Sequence, residues 1–129
     1  MKLGYVLLYV PDVKRSVDFY KRAFALELTF MNEAATYAAL KTGETTLGFV
    51  AHGFIRESLP GSFRPAQHDE APPPFEIAFT TDDVAAAQDR AVAAGARRVL
   101  APTKKPWGQT VAYIRDLDGN LVELCTPMG

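Results

Sequence analysis

Apolar residues recur along this chain in two rhythms, and the order of the rhythms is repeated. Residues 4–10 are a near-continuous apolar run with two tyrosines, the pattern of a strand covered on both faces. Pro11-Asp12 ends that run. Val13, Val17, Tyr20 and Phe24 then fall at spacings of three and four, which predicts a helix with one apolar face, capped by Asp12 or Ser16. Residues 26–30 form a short strand candidate, and residues 37–40 and 45–51 flank Thr42-Gly43-Glu44 as a hairpin. The same order returns later. Residues 75–80 read as a strand, Thr81-Asp82-Asp83 as the cap of an alanine-rich helix ending at Gly95, and residues 97–100 as a short strand. Residues 109–115 and 120–126 flank Asp116-Leu117-Asp118-Gly119, where Asp-Gly tolerates the positive φ of a hairpin turn. The pattern therefore predicts an α+β chain of two tandem β-α-β-β-β modules, at about residues 1–51 and 75–129 of a single domain. Asp12-Val13 and Asp83-Val84 align the two copies.

Residues 52–74 break the pattern. They hold Pro60, Pro65, Pro72, Pro73, Pro74, Gly53 and Gly61, with no apolar period. The segment is too long for an ordinary connection, so it reads as a linker between the modules or a loop folded over a site. Pro72 to Pro74 should be stiff and extended.

Composition narrows the classes. The 129 residues suit one domain with a sizeable core, and 48% of them are hydrophobic. The formal net charge of -1, without a long run of one sign, gives no nucleic-acid or membrane-surface footprint. No apolar stretch approaches a membrane span, and Asp12 and Lys14 cut the first apolar run too short for a signal peptide. The one cysteine, Cys125, excludes an internal disulfide framework, so a cytoplasmic, reducing home is the expectation. Cys125 lies in an apolar strand and reads as a buried, inert thiol.

With the duplicated modules, the sequences DVKRSVDFYKRAF after the first strand and RDLDGNLVELCTP near the end carry a family resemblance. The chain resembles the vicinal oxygen chelate superfamily, which contains glyoxalase I, extradiol dioxygenases, fosfomycin-resistance enzymes, methylmalonyl-CoA epimerase and bleomycin-resistance proteins. The resemblance implies that the modules curl their mixed sheets into half-barrels around a concave cleft. In metal-dependent members it implies four ligands, His or Glu, on the first and last strands of each module, around a divalent ion open to substrate oxygens. Here those positions fall at Tyr5, Gly48, Glu76 and Glu123. Two keep carboxylates, one is a weak ligand and one has no side chain. The resemblance therefore implies a metal at Glu76 and Glu123 if anywhere, and a cofactor-free protein otherwise.

Other readings stay open beside it. Glu76 and Glu123 in one cleft would repel, raise one pKa and serve as a proton-transfer pair, or they would receive a cationic ligand. Either can instead be a hydrogen-bonded or surface carboxylate. His52, four residues beyond Gly48, would reach the cleft rim if its strand extended that far, and is otherwise an exposed histidine. His68, between acidic residues, reads as solvated. Period-two logic adds Leu7, Tyr9, Ala78, Thr80, Leu121 and Cys125 to the concave face. The resemblance gives Trp107, in a loop bordering the site, a stacking role, against the plain reading of a tryptophan closing the core. Phe54, Phe63 and Phe75 bracket the Pro-rich segment as a lid or an interface. Tyr37, Phe49 and Tyr113 are strand residues, some of them core, and Arg115 lies near the cleft.

The expected ligand-binding set is thus Tyr5, His52, Phe54, Trp107, Tyr113 and Arg115, with Glu76 and Glu123 as candidate catalytic carboxylates. Three functions follow. One is a metal-free binding protein of the bleomycin-resistance type, sequestering an aromatic or cationic small molecule in a homodimer. Another is a metal-dependent or acid/base lyase, isomerase or dioxygenase of the glyoxalase type. The third is a structural or regulatory module without a small ligand.

Overall fold

The computed structural model describes residues 1–59, 61 and 63–129; Pro60 and Ser62, within the Pro-rich segment, lie outside the described residues. They form two compact units, Met1–Pro65 and Ala66–Gly129. In the first, β1 (Tyr5–Val10), α1 (Val13–Phe24), β2 (Glu27–Met31), β3 (Tyr37–Lys41) and β4 (Thr46–Ala51) are followed by a short helix, α2 (His52–Ser58). In the second, β5 (Ile77–Thr80), α3 (Val84–Ala93), β6 (Arg97–Lys104), β7 (Thr110–Arg115) and β8 (Leu121–Cys125) repeat the order. The sheets run β1-β4-β3-β2 and β5-β8-β7-β6. In each, the first strand lies parallel to the last and the other pairings are antiparallel. The chain is therefore α+β and built of two tandem βαβββ modules.

Both long helices start where a side chain can satisfy a free backbone N–H. Asp12 accepts from the Arg15 amide at 3.1 Å, and Asp83 from the Ala86 amide at 3.0 Å. The apolar stripe of α1 buries Val13, Val17 and Tyr20, and also Phe19 and Ala23. Tyr20 meets Phe19, Phe24 and Phe49 at ring-centroid distances of 5.0–5.3 Å, so one aromatic cluster joins α1 to the centre of its sheet. In the second unit, Val84 and Ala91 of α3 face the buried Ala112, Ile114, Val122 and Leu124.

Buried polar side chains at Gln88, Asp116 and Asn120 complete that second core. The Gln88 amide donates to the carbonyls of Leu100 (2.8 Å) and Tyr113 (3.1 Å) and accepts from Arg98, which ties α3 to both β6 and β7. Asp116, 2% exposed, shapes the β7–β8 turn. Its Oδ1 accepts from the amides of Asp118, Gly119 and Asn120 at 2.9–3.0 Å, and its Oδ2 from the Asn120 side chain at 3.2 Å. The Asp-Leu-Asp-Gly-Asn run is thus a turn whose first carboxylate is consumed by backbone donors.

Three expectations need correction. Residues 52–58 are helical, where the sequence reads as an aperiodic linker. None of α2 is buried, so no apolar stripe marks it. It is held from outside, by the contact of the His52 ring Nε2 with the Tyr9 carbonyl (3.2 Å) and by the Arg56 guanidinium over the Phe63 ring (4.6 Å). Strand β6 extends past Leu100 to Lys104. All eight of its residues are exposed and its pairing is bulged, so it has no alternating pattern, and Pro102 is tolerated on an edge. Strand β5 begins at Ile77, which leaves Glu76 just outside it.

Replacing Asp116 by Ala leaves the Asp118 and Asn120 amides without their acceptor and the Gly119 amide with only the main-chain carbonyl of residue 116. We expect a loss of about 1–3 kcal/mol in urea unfolding, against about 1 kcal/mol for the helix cap in Asp12→Ala.

Candidate functional site

The parallel pairing of first and last strands sets the chemistry of each sheet. In the second unit Ala78 lies beside Glu123, and antiparallel pairing puts Tyr113 on its other side. Alternation then turns Val122 and Leu124 toward α3 and leaves Glu123, Tyr113, Leu121 and Arg115 on the face away from it. The Tyr113 hydroxyl donates to Glu123 Oε1 at 2.8 Å. Glu76 lies close enough to Glu123 and Tyr113 to interact electrostatically with both, as Cys125 and the Lys105 charge do with Glu123.

These contacts separate the two carboxyls. Burial works against ionisation of Glu123, but hydrogen bonds from Tyr113, Cys125 and Glu76 and the Lys105 charge outweigh it, holding its pKa below the ordinary glutamate value. Glu76 shifts the other way: withdrawal of its carboxyl from water, repulsion by Glu123 and the hydrogen bond between them all raise its pKa. Glu123 therefore ionises first, and Glu76 keeps its proton to higher pH. Tyr113 is pushed above the ordinary phenol range, because ionisation would break its hydrogen bond to Glu123, its burial disfavours the charge, and both carboxylates repel it. Burial, then the hydrogen bond to Glu123 and the two carboxylate charges, push the Cys125 thiol up to about 11. Buried and reduced, Cys125 donates weakly to the Phe79 carbonyl at 3.8 Å and remains a thiol at neutral pH.

The matching register in the first unit holds no such chemistry. Leu7 lies beside Gly48 and Ala39 on its other side, the counterparts of Ala78, Glu123 and Tyr113. A Cβ at Gly48 would stand 2.7 Å from Leu7 Cδ2, 3.2 Å from the Ala38 carbonyl oxygen and 3.4 Å from Tyr37 Cε1. Apolar side chains thus occupy the space of the missing ligand. Tyr5 is 64% exposed and Leu7 42% exposed on this face, and Phe30 meets Tyr37 at 6.0 Å. The implied metal set does not fit these residues: Gly48 offers no donor, Leu7 fills its place, and no group of three or more His, Cys, Asp or Glu is arranged for a metal among the described residues.

The other sequence candidates are distributed unevenly. Within the second unit the fold brings Glu76, Glu123 and Tyr113 together. Trp107 is 61% exposed and does not close the core; its indole N–H donates to the Gln109 side chain at 2.7 Å, which steadies the ring at the surface. Arg115 is occupied elsewhere. Its guanidinium donates to the carbonyls of Gln67, Glu70 and Gly119 at 2.8 Å and of His68 at 3.2 Å. His52 does not extend β4; it opens α2 and meets the Phe63 ring at 5.1 Å. Phe63 also packs edge-on against Tyr9 at 4.9 Å, whereas Phe54 and Phe75 are about half exposed. His68 is not solvated: its ring Nε2 lies 3.0 Å from the Leu117 carbonyl and its Nδ1 is buried without a partner.

Period-two alternation places Cys125 on the face of Glu123, whereas nothing in the residue type or spacing of Lys105 marks it as part of this cluster. The Tyr113–Glu123 pair had a signal, because both stand equally far from Asp118 at the hairpin turn, and equidistant residues in a hairpin face each other.

Comparison with known proteins agrees with the fold. Residues 2–124 match the sequence profile of the Glyoxalase/Bleomycin resistance protein/Dioxygenase superfamily, and the chain belongs to that superfamily. It is 31% identical over 125 residues to the uncharacterized protein YraH of Bacillus subtilis (strain 168), spanning 96% of this chain and 97% of that one. It is 30% identical over 130 residues to a protein of Vibrio parahaemolyticus named probable lactoylglutathione lyase, spanning 95% and 88%. The crystal structure of a glyoxalase-related enzyme from Fulvimarina pelagi superposes with a TM-score of 0.84 at 20% identity, over 98% of this chain and 88% of that one, a likeness of fold.

The split carboxyl pair predicts a pH dependence. A raised folded-state pKa at Glu76 gives stability that is present below the unfolded value and lost as pH rises through the folded one; the lowered pKa of Glu123 gives stability lost as pH falls through it. Glu76→Gln, which keeps a donor toward Glu123 without the charge, should raise the melting temperature relative to wild type more at about pH 8 than at about pH 4. Because Glu76 is exposed, the gain should stay within about 1 kcal/mol. A melting-temperature series across that range checks it, and an equal gain at both ends would exclude the coupling.

Proposed function

We propose that this protein binds a small molecule without a metal ion, in the manner of the bleomycin-resistance members of its superfamily. Its ligand is an aromatic or cationic compound, sequestered in the cleft of a cytoplasmic homodimer. The observation that carries this reading is the Gly48 position, where Leu7 and Tyr37 stand in the place of a ligating side chain. Two further features support it. Glu123 is an ionised carboxylate beside a phenol hydroxyl on an open sheet face, which attracts a cationic group. Exposed aromatic faces at Tyr5 and Trp107 suit flat or cationic ligands.

A second reading is an acid/base lyase or isomerase of the glyoxalase type. The specific observation favouring it is the opposed shift of Glu76 and Glu123, which gives one carboxyl that holds a proton and one that accepts it. The relative named probable lactoylglutathione lyase lends it weight.

The first test is the metal content of untagged protein, followed by thermal shift with Ni, Zn, Mn, Fe and Mg ions and light scattering. We expect no stoichiometric metal, no metal stabilisation that vanishes in Glu123→Gln, and a dimer. A stoichiometric ion lost in Glu123→Gln would overturn the reading.

In a screen of aromatic and cationic compounds, Trp107→Ala should weaken binding of the best hit by about 1–3 kcal/mol, the scale of a lost stacking contact. Calorimetric titration measures it. Under the second reading the order reverses: Glu123→Gln abolishes turnover of a glyoxalase-type substrate and Trp107→Ala does not.

A further inference from the structure

Glu76 is the one carboxyl of the cluster that no strand holds. Tyr113 sits in β7 and Glu123 and Cys125 in β8, where ladder hydrogen bonds fix the backbone, whereas Glu76 precedes the first residue of β5. Its backbone is joined on one side to Ile77, which pairs with Val122, and on the other to the chain leading to it.

That chain is fastened at one end by Arg115. The guanidinium uses its fork of donors on four carbonyl oxygens, three of them consecutive or nearly so in the segment 67–70 and the fourth at Gly119 in the β7–β8 turn. His68 adds a second fastening. A carbonyl only accepts, so its Nε2 carries the proton that meets Leu117. The turn is shaped for this approach. Gly119 has φ +101°, and a Cβ there would stand 2.9 Å from the Gln67 carbonyl carbon and 3.0 Å from the Gln67 oxygen. Between this clamp and β5 run Pro72, Pro73 and Pro74, whose locked φ angles transmit position along the chain. The Phe75 amide then turns back onto the Pro73 carbonyl at 2.8 Å, and Glu76 follows. Arg115 stands two residues from Tyr113 on the same face of β7, so the clamp and the cluster share one strand.

We infer that Arg115 is the positioning residue of the carboxyl pair: by clamping residues 67–70 onto the β7–β8 turn, it fixes the strap that presents Glu76 to Glu123 and Tyr113. This rests on the reading of Glu76, Glu123 and Tyr113 as the site. It gives Arg115 a role without ligand contact. A lysine cannot replace it, because a single ammonium cannot reach four carbonyls in a fixed plane.

The test is NMR of the full chain in Arg115→Lys and, separately, in Gly119→Ala, which keeps the arginine but sets a Cβ 2.9 Å from the Gln67 carbonyl carbon and 3.0 Å from Arg115 Nη2, and so pushes on the clamp from the turn. In both variants we expect loss of the contacts between the Glu76 γ-protons and the Tyr113 ring. The Glu70 and Phe75 amides should exchange about tenfold faster or more, and the contacts between Tyr113 and Glu123 across β7 and β8 should remain. That combination separates positioning from general loss of structure, which would remove both sets of contacts. Retained Glu76–Tyr113 contacts in either folded variant, or loss of the Tyr113–Glu123 contacts along with them, would overturn the inference. Should Arg115→Lys not fold, Gly119→Ala decides alone. Because the readout is the position of Glu76 and not ligand binding, a failed ligand screen leaves the inference standing, and a failed inference leaves the binding proposal standing.

Discussion

Parallel pairing of the first strand of each module with its last is the constraint from which the rest follows. A parallel neighbour cannot be reached by a tight turn, so the chain must cross over through a helix and two further strands before it returns. The crossing places α1 and α3 on one face of their sheets and leaves the other face open. It also fixes which side chains meet there. Leu7 comes beside Gly48, and Ala78 beside Glu123, in the same register in both modules.

The two modules use this shared frame for opposite purposes. In the first, Leu7 and Tyr37 close over Gly48 and the face becomes an apolar, aromatic surface. In the second, Glu123 takes the equivalent place and gathers a phenol, a thiol and a second carboxyl around it. Two adjacent carboxyls, one of them half-buried, do not ionise equally. The hydrogen bonds to Glu123 decide which one holds the charge, and Glu76 absorbs the repulsion. Membership of the superfamily fixes the frame and leaves the chemistry open, because function resides in the side chains that the frame brings together.

Arg115 shows why residue type alone misleads. An arginine beside a cleft reads as an anion or ligand contact. Here it donates to three backbone carbonyls of residues 67–70, which have no helix or strand of their own to satisfy them, and to the Gly119 carbonyl in the turn. His52 and His68 follow the same logic, each meeting a backbone carbonyl near a place where a strand gives way to a turn or a helix. Contacts of this kind depend on where irregular chain lies, which no periodic pattern records.

The sequence by itself determined the two modules, the order of their elements, a cap for each long helix within a few residues, the hairpin at Asp116 and the absence of a donor at Gly48; the structure chose Asp12 over Ser16 and Asp83 within Thr81-Asp82-Asp83. Each of those sequence features is local: a period of 2 or 3.6, a side chain that reaches its own helix terminus, or a missing Cβ. It also contained the Tyr113–Glu123 pairing, since the turn residue fixes which positions are opposite. Only the tertiary structure decided that α2 is a helix, that β6 continues as a bulged edge, that Glu76 joins Glu123 from outside a strand, and that Leu7 fills the space at Gly48. Those outcomes come from contacts between residues far apart in the chain, in segments whose own pattern is too irregular to choose a conformation.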